Sequence, residues 1–232
     1  MLMVNQIIGF GAFSNAEIGG NDAFTKLLLH CDGTNGGTTF TDSSAAAHTV
    51  TAAGNANTAT DQFKFGTASY KGDGTGDYAT SANSTDWNLG GAGAGDFTID
   101  FWIRFNSVAA AYGLVATGNF AGTGWTFYFV NTSGGQLRLY NGSESVIAWA
   151  ASTNIWYHVA LVRSSSTITC YIGGTSIGTF TDLDMNNDSG ALRVGDGGDS
   201  GSSFNGWMDE VRISKGIARW TANFTPPTGP YT

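Results

Sequence analysis

The sequence predicts an all-β protein, a sandwich of two antiparallel sheets, and three observations carry that prediction. Apolar and polar residues alternate at period two in segment after segment. Glycine, 34 of 232 residues, falls between those segments together with Asp, Asn and Ser, the residues of tight turns. The acidic side chains are of the turn type: of 18, 15 are Asp and only 3 are the helix-favouring Glu, and no segment reads as a convincing long helix.

The strands can be justified in turn. Strands are expected over Phe24–Cys31, Thr38–Thr41, Thr49–Ala52, Ala68–Lys71 and Tyr78–Thr80, with the polar stretch Thr51–Gln62 as a loop between them. The clearest strand is Phe97–Phe105. Phe97, Ile99, Phe101, Ile103 and Phe105 share one face, and Thr98, Asp100, Trp102 and Arg104 the other; a helix would scatter those five hydrophobes around its circumference. The small-residue stretch Gly90–Gly95 before it reads as a loop. Gly113–Thr117, Trp125–Asn131, Gln136–Tyr140 and Ser145–Ala148 follow. Trp156–Arg163 is apolar on both faces, which places it centrally; it pairs with Thr167–Ile172 across a short serine loop, and Gly173-Gly174 turns into Thr175–Thr181. Ala191–Val194 and Gly206–Ser214 complete the set. Residues 1–22 lack strong alternation and form an N-terminal arm, leaving 23–232 as one domain, within the size range of single β-sandwiches. Ile7, Ile8, Phe10 and Phe13 make the arm apolar; it packs back on its own domain or docks on a neighbouring subunit, which points to a homo-oligomer or other assembly.

Charge narrows the partners. A net charge of −8 and a pI near 4.5 exclude nucleic acid, whose phosphates require clustered Lys and Arg, and anionic membrane surfaces. No apolar stretch approaches the roughly 18 residues of a membrane span. The first basic residue is Lys26, so the apolar start lacks the charged n-region of a signal peptide, and the expectation is a chain made in the cytoplasm. Cys31 and Cys170 each lie in an apolar strand pattern, as buried thiols or as a mutual disulfide.

Several segments carry a family resemblance. Leu27-Leu28-Leu29-His30-Cys31-Asp32-Gly33, Phe65-Gly66-Thr67-Ala68-Ser69-Tyr70, Asp96–Arg104, Trp156–Arg163 and Phe204–Trp220 resemble, in this order, the segments of laminin-G-like, concanavalin A-type jelly-roll domains. The resemblance implies a two-sheet antiparallel jelly roll. This fold hosts lectins, adhesion modules, enzymes and structural parts alike, so function rests on the site. With the following Phe224-Thr225-Pro226-Pro227, the chain is similar to domains of bacteriophage structural proteins, which implies a non-enzymatic virion component: a decoration, fibre or receptor-engaging protein. The alternative is a carbohydrate-binding module or adhesin domain recognising surface glycans, at a cell surface or outside the cell.

The family frequently holds calcium between its first and last strands. Carried onto this chain, that implies a structural Ca²⁺ at Asp32 and Asp209, with nearby carbonyls completing the shell. The bland reading makes Asp32 a turn residue and Asp209 an ion-pair partner of Arg212 or Arg219. Asp196-Gly197-Gly198-Asp199 is a second acidic loop, a cation site or a hairpin tip. Catalysis is not expected: glycosidases need two carboxylates about 5–9.5 Å apart, and Glu17, Glu144 and Glu210 are isolated from one another. Sugar sites combine aromatic rings with Asn, Asp or backbone groups; the candidate ligand-binding aromatics are Trp102, Trp125, Tyr140 and Trp149.

Overall fold

In a computed structural model the described residues are 20–90, 95–118, 124–180, 184–187, 189–199 and 201–232. Ile7, Ile8, Phe10 and Phe13 of the arm, and the middle of the Gly90–Gly95 loop, lie outside them. Sheet A runs, in spatial order, β14 (Thr175–Phe180), β13 (Thr167–Ile172), β12 (Trp156–Ser164), β7 (Phe97–Phe105), β16 (Asn205–Lys215), β5 (Ser69–Asp73) and β4 (Asn57–Ala59), with β1 (Thr25–Leu29) also beside β16. Sheet B runs β11 (Glu144–Ala148), β10 (Gln136–Tyr140), β9 (Thr126–Val130), β8 (Tyr112–Ala116), β15 (Leu192–Val194), β6 (Tyr78–Ser81), β3 (Thr49–Ala53) and β2 (Thr39–Thr41). The sandwich is antiparallel, with almost no helix; among the described residues a 3-10 turn over Thr85–Trp87 starts at Ser84, whose hydroxyl accepts from the Asp86 amide.

Period-two patterning produces the core directly. Phe97, Ile99, Phe101, Ile103 and Phe105 are all fully buried between the sheets, where they meet Phe127, Phe129, Leu137 and Leu139 from sheet B. Each such side chain contributes roughly 1.5–3 kcal/mol by leaving water. Cys31 and Cys170 are buried and unbonded, filling space as small hydrophobes.

Two details position the outer surfaces. β16 pairs with β7 along one side. Its other side is split between β5, opposite Asn205–Met208, and β1, opposite Val211–Ser214. The register shifts between Asp209 and Arg212, and Glu210 takes a left-handed φ of 50° as the extra residue of this bulge. Beyond β16 the C-terminal segment turns back across the outer face of sheet A. Trp220 and Phe224 stack at 4.0 Å and 7°, and Trp220 packs with Ala160, Val162 and Tyr171.

Three expectations are corrected here. Thr51–Gln62 contains β4, a three-residue strand paired with β5. Residues 20–22, read as part of the arm, are tied to the domain: Asn21 donates its amide to Thr232, Arg212 donates to the Gly20 carbonyl, and Asp22 pairs with Arg219 at 2.9 Å. The Asp196–Asp199 loop is no hairpin tip, because β15 belongs to sheet B and β16 to sheet A; it is the crossover between them.

Candidate functional site

The outer faces of the two sheets differ in what covers them. On sheet A, Asp100 points outward from β7 and is fully buried. Arg212, from the neighbouring β16, donates Nε to Asp100 Oδ1 at 3.0 Å and Nη2 to Oδ2 at 3.2 Å, a fork-to-carboxylate pair. The Tyr231 hydroxyl donates to the same carboxylate. His158 Nε2 lies 3.3 Å from that hydroxyl and 3.5 Å from Asp100 Oδ2. Burial pushes the Asp100 carboxyl up, but the charges and hydrogen bonds of Arg212 and His158 win and hold it down at about 2. Trp220, Phe224 and Trp102 enclose the His158 ring. This cluster is sealed by the C-terminal segment, which makes it a fastening and not a reaction centre.

Asp32 and Asp209 come together where the split along β16 opens. β1 ends there, Cys31 turns with a φ of 57°, and the loop ahead of β5 crosses the gap. Asp209, fully buried, accepts the amides of Lys64 at 2.7 Å and Phe65 at 3.0 Å on Oδ2, and the Glu210 amide at 2.8 Å on Oδ1. Asp32 Oδ1 accepts the Thr67 amide at 2.5 Å, the Thr67 hydroxyl at 2.9 Å and the Ala68 amide at 3.2 Å. Burial pushes the Asp209 carboxyl up to about 7, the Glu210 charge adds to this, and the amides work the other way. Glu210 bonds His30 Nδ1 at 2.8 Å, which raises the imidazole above its usual value.

A calcium ion would need about 6–8 oxygens. Here both Asp209 oxygens and Asp32 Oδ1 are engaged by amide and hydroxyl donors. Among the described residues, no group of three or more His, Cys, Asp and Glu is arranged to hold a metal. As placed, the pair clamps the 64–68 loop and offers no open oxygen shell, and chelation decides between the clamp and calcium at Asp32 and Asp209. Asp209 pairs with neither Arg212 nor Arg219, whose carboxylate partners are Asp100 and Asp22.

The four candidate aromatics are distributed unevenly. Trp125 is fully buried in the core, donating Nε1 to the Trp87 carbonyl at 3.0 Å. Trp102 does face outward from β7, but Lys64 lies 4.0 Å over its ring and Phe65 meets it edge-on at 5.8 Å, so the clamped loop covers it. Trp149 is half-buried against Phe105, Phe129 and Tyr157. Tyr140, half-buried like Trp149, lies on the outer face of sheet B.

That face is polar and aromatic. In register across β9, β10 and β11 lie Tyr128, Arg138 and Val146 in one row, and Thr126, Tyr140 and Glu144 in the next. The Tyr128 hydroxyl donates to Glu144, Arg138 Nη1 donates to Glu144 Oε2 at 2.9 Å, and Arg138 Nε donates to Gln136 Oε1 at 3.0 Å. The 195–199 crossover forms a wall beside this patch. Gly113 of β8 makes room for it, since a Cβ there would sit 1.9 Å from the Gly197 nitrogen. Asp196 fixes the wall by accepting from Gly198, Arg193 and Ser203. Alternation along Gln136–Tyr140 could have flagged Arg138 and Gln136, because both share Tyr140's face. Sequence reasoning passed over them.

The architecture defines a lectin-like jelly roll, and comparison with known proteins agrees. A family model for the concanavalin A-like lectin/glucanase superfamily matches residues 73–219, and the chain belongs to that superfamily. No curated protein sequence gives a significant match. Among solved structures, domain 4 of the extracellular GH43 arabinanase AbnA from Geobacillus stearothermophilus, in complex with arabinotriose, superimposes with a TM-score of 0.64 at 14% identity, over 84% of this chain and 93% of that one. The type C botulinum neurotoxin, whose cell entry depends on two ganglioside molecules, gives 0.59 at 18% identity over 82% of this chain. The binding domain of botulinum neurotoxin DC, in complex with SialylT, gives the same score and identity over 85%. The present chain covers about half of these toxin chains, 47% and 49%.

Proposed function

We propose that the chain is a non-catalytic carbohydrate-recognition module whose site is the outer face of sheet B around Tyr140, Arg138, Gln136 and Glu144. The observation that carries this reading is the contrast in cover. The outer face of sheet A is sealed over Asp100 and Trp102, whereas Tyr140 presents a half-exposed ring among hydrogen-bonding side chains. A ring stacks on the C–H face of a sugar while Arg, Gln and Glu groups meet its hydroxyls. The arabinotriose held by the arabinanase domain of the same fold supports it. The non-catalytic part of the reading is supported by the carboxylates among the described residues. Glu144 is the acid facing outward from β9–β11, and it is bound by Tyr128 and Arg138, without the second free carboxylate that glycoside cleavage requires. The setting we propose is a phage virion, with the module engaging glycans of a host surface, on the resemblance of the Phe224–Pro227 tail; a bacterial cell surface is the alternative. Ile7, Ile8, Phe10 and Phe13 are proposed as assembly contacts. Deleting residues 1–19 is then expected to lower the mass in solution and to leave the melting temperature unchanged.

The test is a glycan array on the wild type and Tyr140→Ala. Binding to defined glycans by the wild type, lost in a variant that melts normally, is expected. Equal binding by the two proteins would place the site elsewhere.

A further inference from the structure

The C-terminal segment leaves one row of sheet A open. Lys71 of β5, Trp207 of β16, Arg104 of β7 and Trp156 of β12 are consecutive partners in register across four adjacent strands. All four point outward, because the inward positions beside them are Tyr70, Met208, Ile103 and Phe105 of the core. Trp207 is held tightly: Lys71 lies 5.2 Å from its ring and Arg104 5.6 Å, and its Nε1 donates to Asp61 at 2.9 Å. Lys71 is neutralised by Asp61 at 2.7 Å. Arg104 is different. Its Nη2 donates to the Asn154 side chain at 3.1 Å, its Nε is buried without a partner, and among the described residues no carboxylate pairs with it. In a chain with 18 acidic and 10 basic side chains, a guanidinium without a counter-ion stands out from the prevailing charge balance. Its neighbour Trp156 is half-exposed, and among the described residues neither a second ring nor a cation stacks on it. Asn154 is exposed, accepts from Arg104 and lies two residues before Trp156 in the chain.

We infer that Arg104, Trp156 and Asn154 form a second saccharide subsite, on the sheet opposite the Tyr140 face, and that it takes a sugar unit bearing a carboxylate, a hexuronate. The planar guanidinium matches a carboxylate through paired N–H groups. The Trp156 ring supplies the stacking surface for the sugar, and the Asn154 amide a partner for a hydroxyl. A long polyanion is disfavoured by the net charge of −8, whereas a single carboxylate seated on Arg104 restores local neutrality. The inference rests on the reading of the module as a glycan binder for the sugar, and on Arg104 for the charge.

The full chain would be titrated with trigalacturonate and with its methyl ester, which keeps the sugars and removes the charge. The acid is expected to bind at least tenfold more tightly than the ester, less tightly as salt rises. Arg104→Gln should lower acid affinity at least tenfold and leave ester binding where it was. Arg104→Lys, which keeps the charge but not the fork, should fall between them and covers the case of a misfolded glutamine variant. Trp156→Ala should weaken both ligands. Equal binding of acid and ester, wild-type binding by Arg104→Gln, or no binding of trigalacturonate would overturn the inference. Retained binding of neutral glycans at the Tyr140 face would then leave the module reading standing, whereas loss of both would overturn the two together.

Discussion

The outer faces of sheets A and B are built from the same kind of strand and come to opposite ends. On sheet A the outward residues of the central strands β7, β12 and β16 include Asp100, His158 and Arg212, and the chain's own C-terminal segment covers them with Trp220, Phe224 and Tyr231. On sheet B the outward residues include Tyr128, Arg138, Tyr140 and Glu144, and Tyr128 and Arg138 both donate to Glu144 along the surface. A buried charge must be paired and enclosed, and it then becomes a fastening. A polar row satisfied along the surface needs no such cover. The difference teaches that the part of sheet A under the C-terminal segment serves stability, and that the proposed recognition falls to rows that segment leaves uncovered.

The largest effect is expected where the sealed face is broken. Asp100→Ala leaves Arg212 buried without its carboxylate and should cost about 3–5 kcal/mol, read by denaturant unfolding. Phe101→Ala, in the core common to both sheets, should cost a similar 3–5 kcal/mol or so. Loss of less than about 1 kcal/mol in Asp100→Ala would mean that the C-terminal segment does not depend on the pair.

Next come two carboxyls of sheet A with opposite pH dependence. Asp100 is held down at about 2, so its contribution is present above about pH 4 and lost as pH falls through 2. Asp209 is pushed up to about 7, so its protonated form favours the fold: the contribution is present below about pH 4 and lost as pH rises towards 7. Melting temperatures of the wild type should therefore decline between pH 5 and pH 7.5 or so, and Asp209→Asn should flatten that decline. A variant with an undiminished slope would assign the decline to His30, whose raised value gives the same sign.

A smaller effect separates clamp from metal at the same junction. With Asp32 and Asp209 engaged by loop amides, a chelator is expected to leave the melting temperature of a metal-exposed sample unchanged. A fall of several degrees would establish calcium there, since a ligand bound only to the folded state stabilises it.

How much of this was legible in the sequence follows from the range of each interaction. The Phe97–Phe105 strand was readable because alternation is local, and β12 because its two apolar faces announce a central position. β4 was not, since Asn57-Thr58-Ala59 has no alternation and forms only by pairing with β5. Trp102 was assigned correctly to the face opposite the core, but its cover comes from Lys64 and Phe65, a contact that no pattern within β7 encodes. The Asp100–Arg212 pair joins residues 112 positions apart, so neither partner could be chosen locally. The amides on Asp32 and Asp209 come from a third segment, 64–68, which no pattern around either residue encodes. Arg138 and Gln136 were overlooked although the alternation of β10 puts them on the same face as the candidate Tyr140.

The central claim is that the Tyr140 face of sheet B recognises glycans while contributing little to stability. Its most direct test is Tyr140→Ala measured twice, by thermal melting and by binding to whichever array glycan the wild type retains. Our account predicts a stability within about 1 kcal/mol of wild type and a loss of affinity of at least tenfold, the cost of removing a stacking ring. An unfolded variant, or one that binds the glycan as the wild type does, would contradict it.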